Sequence, residues 1–174
     1  MRTLTRTVSL TLLLAACGGD DTGPVSMADA EAGCRAVCQH ELDCGSAVVV
    51  DSCTASCVAN VTGVVRADVF TDATSCRTAL ACGAADTSCR TCTPTASHTA
   101  FEARCRALYD TCLPPAQAAS VCSVELNPDS TVGGLCALTP AIMDELTACL
   151  PDGTTCATAT TCLQNVLRAY GITG

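Results

Sequence analysis

The sequence predicts an all-α fold of disulfide-stapled helical hairpins arranged as two diverged tandem repeats, and three observations predict it. Cysteines recur four apart, as Cys34-x-x-x-Cys38 and Cys53-x-x-x-Cys57, a spacing that puts both side chains on one face of a helix. The apolar residues around them recur at helical spacing, as in Ala30, Cys34, Cys38 and Leu42. Finally, residues 70–82 align without a gap to residues 150–162, with Cys76 over Cys156, Cys82 over Cys162, and a shared Thr-Ala between them. The chain has 17 cysteines but only two Phe, two Tyr and no Trp. A core so rich in alanine buries little area per side chain, and cross-links compensate at about 2–4 kcal/mol each. Cysteine usage of this kind belongs to an oxidising compartment.

In chain order, Arg2 and Arg6 precede an apolar run over residues 8–16 that is too short to span a bilayer, which takes about 20 apolar residues. The run ends on Leu14, Ala15, Ala16 and Cys17, which resemble the lipobox of bacterial lipoprotein precursors. That resemblance implies a signal peptide over 1–16, acylation of Cys17 as the first mature residue, and membrane attachment through its acyl chains. The cysteine count agrees: with Cys17 carrying lipid, the other sixteen of the 17 are even in number and suit eight disulfides. Residues 17–26 read as a flexible tether, Gly-Gly and Asp-Asp followed by Gly23-Pro24, with an average reach of about 15–18 Å.

Ser26 suits the N-cap of a first helix running to about Cys44. Residues 45–50 connect it to the next element, although 47–50 equally suits a short strand. Asp51 is expected to cap a second helix over 52–69, with Cys53, Cys57, Val61, Val64 and Val65 on its stripe. Across an antiparallel hairpin this geometry pairs Cys34 with Cys57 and Cys38 with Cys53. The pattern resembles the doubly stapled hairpin of plant α-hairpinins over residues 34–57, a likeness that implies no activity. A third helix is expected over 73–82 with Asp72 as its cap. A fourth begins at Ser97 or Thr99 and runs to Cys112, with Phe101, Cys105, Leu108 and Cys112 on one face. A fifth is expected over 115–126, a sixth from Thr139-Pro140 to Leu150, and a seventh over 154–170. The repeat divides the body into a first disulfide-rich unit over 27–92 and a second over 93–174, and it marks Cys76, Cys82, Cys156 and Cys162 as further disulfide cysteines.

The formal charge of −8 falls to −10 once Arg2 and Arg6 are removed, and lysine is absent. So acidic a surface is repelled by nucleic acid and anionic head groups, leaving the acyl chains as the membrane contact. Cys89-x-x-Cys92 has the spacing of redox and zinc motifs, but no strand precedes it and the residues read as structural cysteines. Cys38, His40 and Cys44 offer soft ligands, the basis of an alternative function, sequestration of Cu(I) or zinc in a cysteine-lined bundle. The sequence holds no nucleophile elbow, zincin motif or phosphate loop, so no catalytic residue and no cofactor is expected. Glu41 with Asp43, and Asp144 with Glu145, read as solvated acidic pairs. Asn60-Val61-Thr62 matches a glycosylation acceptor that carries no weight in a bacterial lipoprotein.

Taken together, the Leu-Ala-Ala-Cys-Gly-Gly start and the Cys-x-x-x-Cys helices resemble cysteine-rich lipoproteins of unknown function from myxobacteria and their relatives. The resemblance implies a cell-envelope location. Gly18 rather than Asp after the acylated cysteine points, by analogy with enterobacterial sorting, to the outer membrane. The function expected is a non-enzymatic, envelope-anchored lipoprotein with a structural or partner-binding role, its partner a protein or a glycan.

Overall fold

A computed structural model describes residues 22–89, 91–124 and 134–172. Cys17 and the expected signal peptide lie outside the described residues, as does the expected end of the fifth helix at Leu126. Among the described residues the regular structure is helical, apart from two isolated antiparallel bridges.

Helix α1 (Met27–Asp43) starts where the Ser26 hydroxyl oxygen accepts the Asp29 amide at 3.1 Å. It ends as Gly45 turns the chain with φ +86°. Helix α2 (Val50–Val61) runs back along it. The antiparallel pairing is fixed by Cys34–Cys57 and Cys38–Cys53, with Cα separations of 5.8 and 6.0 Å. Ala30, Cys34 and Cys38 are buried on α1, as their spacing requires, whereas Leu42 is 43% exposed. Twelve residues of helix accumulate about 120° of drift, enough to carry Leu42 off the stripe.

The expected second and third helices need redrawing. Gly63 adopts φ +77°, which ends α2 well before Val69, and α3 (Ala67–Ala79) contains Asp72 in its interior. Asp51 lies in the first turn of α2 and Val49 is the N-cap. Phe70 on α3 closes a small core with Val25, Ala30 and Cys34. Burial of Val25 also shortens the expected tether. Residues 23–25 belong to the fold, where the Val25 amide donates to Val65 O and the Ala67 amide to Gly23 O, both at 2.9 Å.

After a 3₁₀ turn at Asp86–Cys89 come α4 (Ala96–Tyr109), α5 (Pro115–Cys122), a second 3₁₀ turn at Leu135–Ala137, α6 (Pro140–Ala148) and α7 (Cys156–Ala169). α4 packs on α5 and α6, and α6 on α7. Their shared core contains Phe101, Tyr109, Ile142, Met143 and Leu146. Thr139 caps α6 with Pro140 at its first position, as expected. Cys112 falls beyond the end of α4 and is exposed, because the helix stops at Tyr109.

Eight disulfides join the sixteen cysteines from Cys34 to Cys162, and they fall into two closed sets. Cys34–Cys57, Cys38–Cys53, Cys44–Cys82 and Cys76–Cys89 lie within residues 22–89. Cys92–Cys136, Cys105–Cys122, Cys112–Cys156 and Cys149–Cys162 lie within the rest. Cys92, which the sequence places at the end of the first unit, therefore bonds into the second set. Contact between the halves is non-covalent apart from the chain itself. Val65 and Leu138 form a bridge, with Arg66 N–H donating to Ala137 O at 2.9 Å and Thr139 N–H to Val64 O at 3.1 Å.

Candidate functional site

The C-terminal ends of α1 and α3 meet around the Cys44–Cys82 disulfide, whose Cα atoms are 5.1 Å apart. Cys44 is the C-cap of α1, and Gly45 then lets the chain fold back so that the Ser46 amide donates to Glu41 O at 3.0 Å. Ser46 Oγ also donates to the Glu41 carboxylate at 3.2 Å. One turn before Cys44, His40 places Nε2 3.7 Å from Cys44 Sγ. A disulfide sulfur carries no hydrogen, so this contact has the imidazole N–H as donor. From α3, Arg77 reaches Glu41 Oε1 at 3.4 Å and Asp86 Oδ2 at 4.0 Å. These groups and Cys82 line a cleft of about 290 Å³. Cys82 is exposed and Cys44 half-buried. The arrangement joins a disulfide with one exposed residue, Cys82, to a hydrogen-bond donor on the sulfur of the other, Cys44.

A second cleft, of about 560 Å³, runs between α1 and α2 beside Met27, Thr54 and Val58. The Arg35–Asp51 ion pair, at 3.2 Å, crosses it.

The other sequence candidates separate. Cys76, Cys82, Cys156 and Cys162 all form disulfides, with partners supplied from outside the aligned segments: Cys89, Cys44, Cys112 and Cys149. Residues six apart on a helix point about 120° away from each other, so Cys156 and Cys162 face different neighbours on α7. Cys89 and Cys92 part company in the same way, one bonded to Cys76 and the other to Cys136. Of the proposed soft ligands, Cys38 and Cys44 are held in disulfides and His40 leans on Cys44. No group of three or more His, Cys, Asp or Glu among the described residues is placed to hold a metal ion. Asp43 accepts from Gln39 Nε2 at 2.8 Å, and Glu145 from the Tyr170 hydroxyl at 2.8 Å. That bond to Glu145 raises the Tyr170 pKa.

Two groups passed over in the sequence are central to the packing. Arg66 is 3% exposed, ion-paired with Asp68, and donates from Nη1 to Thr93 O at 2.8 Å and Cys136 O at 3.2 Å. It thus ties the first half to the strap closed by Cys92–Cys136. His98 is fully buried, and its Nδ1 accepts from the Thr95 amide at 3.2 Å while Nε2–H donates to Leu135 O at 3.1 Å. Burial pushes its pKa below the ordinary imidazole value. The Thr95-x-x-His98 spacing, a variant of the capping box, was its one legible signal.

No helix among the described residues is long and apolar enough to cross a membrane. Comparison with protein-family models, curated proteins and solved structures finds no match to this chain.

Proposed function

We propose that this chain is a non-enzymatic lipoprotein module of a bacterial cell envelope, held at the membrane by acyl chains on Cys17 and serving a structural or partner-binding role. The cysteine pairing carries this reading. Sixteen of the 17 cysteines are bonded to one another, so by count Cys17 is the odd one. An odd cysteine at the end of an apolar leader is what lipid attachment calls for. Sequestration of Cu(I) or zinc is the less favoured role, because thiolate ligands must be free to bind and these are oxidised.

The same pairing supports two diverged tandem units, in a register different from the alignment of Cys76 with Cys156. Cys34–Cys57 joins the first two helices of one half, and Cys105–Cys122 joins α4 to α5. Cys44–Cys82 then corresponds to Cys112–Cys156, and Cys76–Cys89 to Cys149–Cys162. Val65 and Leu138, each two residues ahead of its helix, are the pair that bridge the halves.

Detergent phase partition of the full precursor expressed in a bacterial host tests the anchor. The wild-type chain is expected in the detergent phase and the Cys17→Ser variant in the aqueous phase. Equal partition of the two would remove lipid attachment at this residue.

A further inference from the structure

We propose that Cys44–Cys82 is a thiol–disulfide exchange site, at which the thiolate of a dithiol attacks Cys82 Sγ while His40 hydrogen-bonds the departing sulfur of Cys44. Access narrows the choice first. Of the eight disulfides, only Cys44–Cys82 and Cys112–Cys156 include an exposed residue. The sulfur environment then separates these two. Cys44 Sγ has His40 Nε2 at 3.7 Å, whereas at Cys112 the nearby Thr111 hydroxyl, at 3.8 Å, has its hydrogen engaged by Leu108 O at 2.7 Å. Cys92 also has a nitrogen donor, Arg66 Nη1 at 3.6 Å, but its partner Cys136 is fully buried and no thiol can approach that sulfur.

Approach to Cys82 is through the open cleft between the helix ends, with Arg77 at its side held by Glu41 and Asp86. Opening this bond leaves the neighbouring cross-links in place. α1 remains fastened to α2 by Cys34–Cys57 and Cys38–Cys53, and α3 to its following turn by Cys76–Cys89.

The chemistry balances as follows. The incoming thiolate forms a bond to Cys82 Sγ as the Cys82–Cys44 bond breaks, and the bonding pair departs on Cys44 Sγ. The His40 N–H disperses that developing charge until solvent protonates the sulfur. The second thiol of the dithiol, once deprotonated, displaces Cys82 from the mixed disulfide. One dithiol is oxidised to a disulfide, and one protein disulfide is reduced to two thiols.

The test exposes the intact mature protein to limiting dithiothreitol, traps free thiols with iodoacetamide and locates the labels by mass spectrometry. Cys44 and Cys82 are expected to be labelled first, ahead of Cys112 and Cys156. In a His40→Ala variant their labelling should slow by about fivefold, the loss of one hydrogen bond, with Cys112 and Cys156 unaffected. His40→Gln, which restores an N–H donor, should recover part of the rate. Labelling of Cys112 and Cys156 first, an unchanged rate in His40→Ala, or an equal change at both disulfides would each overturn the proposal.

Discussion

His98 shows how much one side chain decides about this protein's response to acid. Both ring nitrogens are engaged in the neutral form, Nδ1 accepting from Thr95 and Nε2–H donating to Leu135 O. A second proton would sit on Nδ1, where it opposes the Thr95 N–H at 3.2 Å and has only the Thr95 hydroxyl, at 2.7 Å, to accept it. Burial disfavours the cation most and Arg66 adds repulsion, together outweighing the hydrogen bonds to the Leu135 and Leu138 carbonyls and the pull of Asp68, which favour it. The folded-state pKa therefore lies below the unfolded value of about 6.5, and the unfolded chain binds the proton more readily. Stability from this group is complete above pH ~6.5 and is lost as pH falls from there through the lowered folded-state pKa. Guanidinium unfolding at pH 7 and pH 5 should show a lower midpoint at pH 5, and His98→Gln should reduce that difference. An identical difference in the variant would assign it to other groups. Arg66 acts differently, because its charge is paired and each of its three nitrogens has an acceptor. The ion pair with Asp68 stays within the first half, and it is the Nη1 hydrogen bonds to Thr93 O and Cys136 O that hold the two halves in register. Arg66 was not legible in the sequence and His98 only through its capping-box spacing to Thr95, since a lone Arg or His carries no mark of burial until the chain folds over it.

At the scale of elements, the α1–α2 hairpin was legible because cysteines four apart constrain both the helix face and the direction of the partner. The α2–α3 boundary was misplaced because the valine-rich stripe runs on to Val64 and Val65, whereas Gly63 in the left-handed region turns the chain between them. The partners of Cys76 and Cys82 were hidden for a related reason. One lies on α3 and the other beyond its end, so no common face relates them. The approach of α3 to α1 rests on a residue with no side chain. A Cβ added at Gly33 would lie 2.6 Å from Phe70 Cε1 and 3.3 Å from Thr74 Cγ2. Gly33→Ala is therefore expected to destabilise the protein by about 1–2 kcal/mol, an overpacking cost partly offset by the better helix propensity of alanine. Chemical denaturation measures it, and a variant as stable as the parent would show that Phe70 moves aside freely.

Across the whole molecule, two modest cores stand side by side, each closed by four disulfides, with the Val65–Leu138 bridge and Arg66 between them. Cross-linking of this density suits a chain with so few aromatic residues, because restricting the unfolded state compensates for a small buried area. It also gives the cysteine arithmetic its meaning, since sixteen paired cysteines single out the seventeenth. The most direct test is the intact mass of the mature protein, before and after reduction and alkylation. The account predicts a chain beginning at Cys17 with added acyl mass, no alkylation before reduction, and sixteen alkyl groups after it. Seventeen alkyl groups after reduction, or alkylation without reduction, would contradict it.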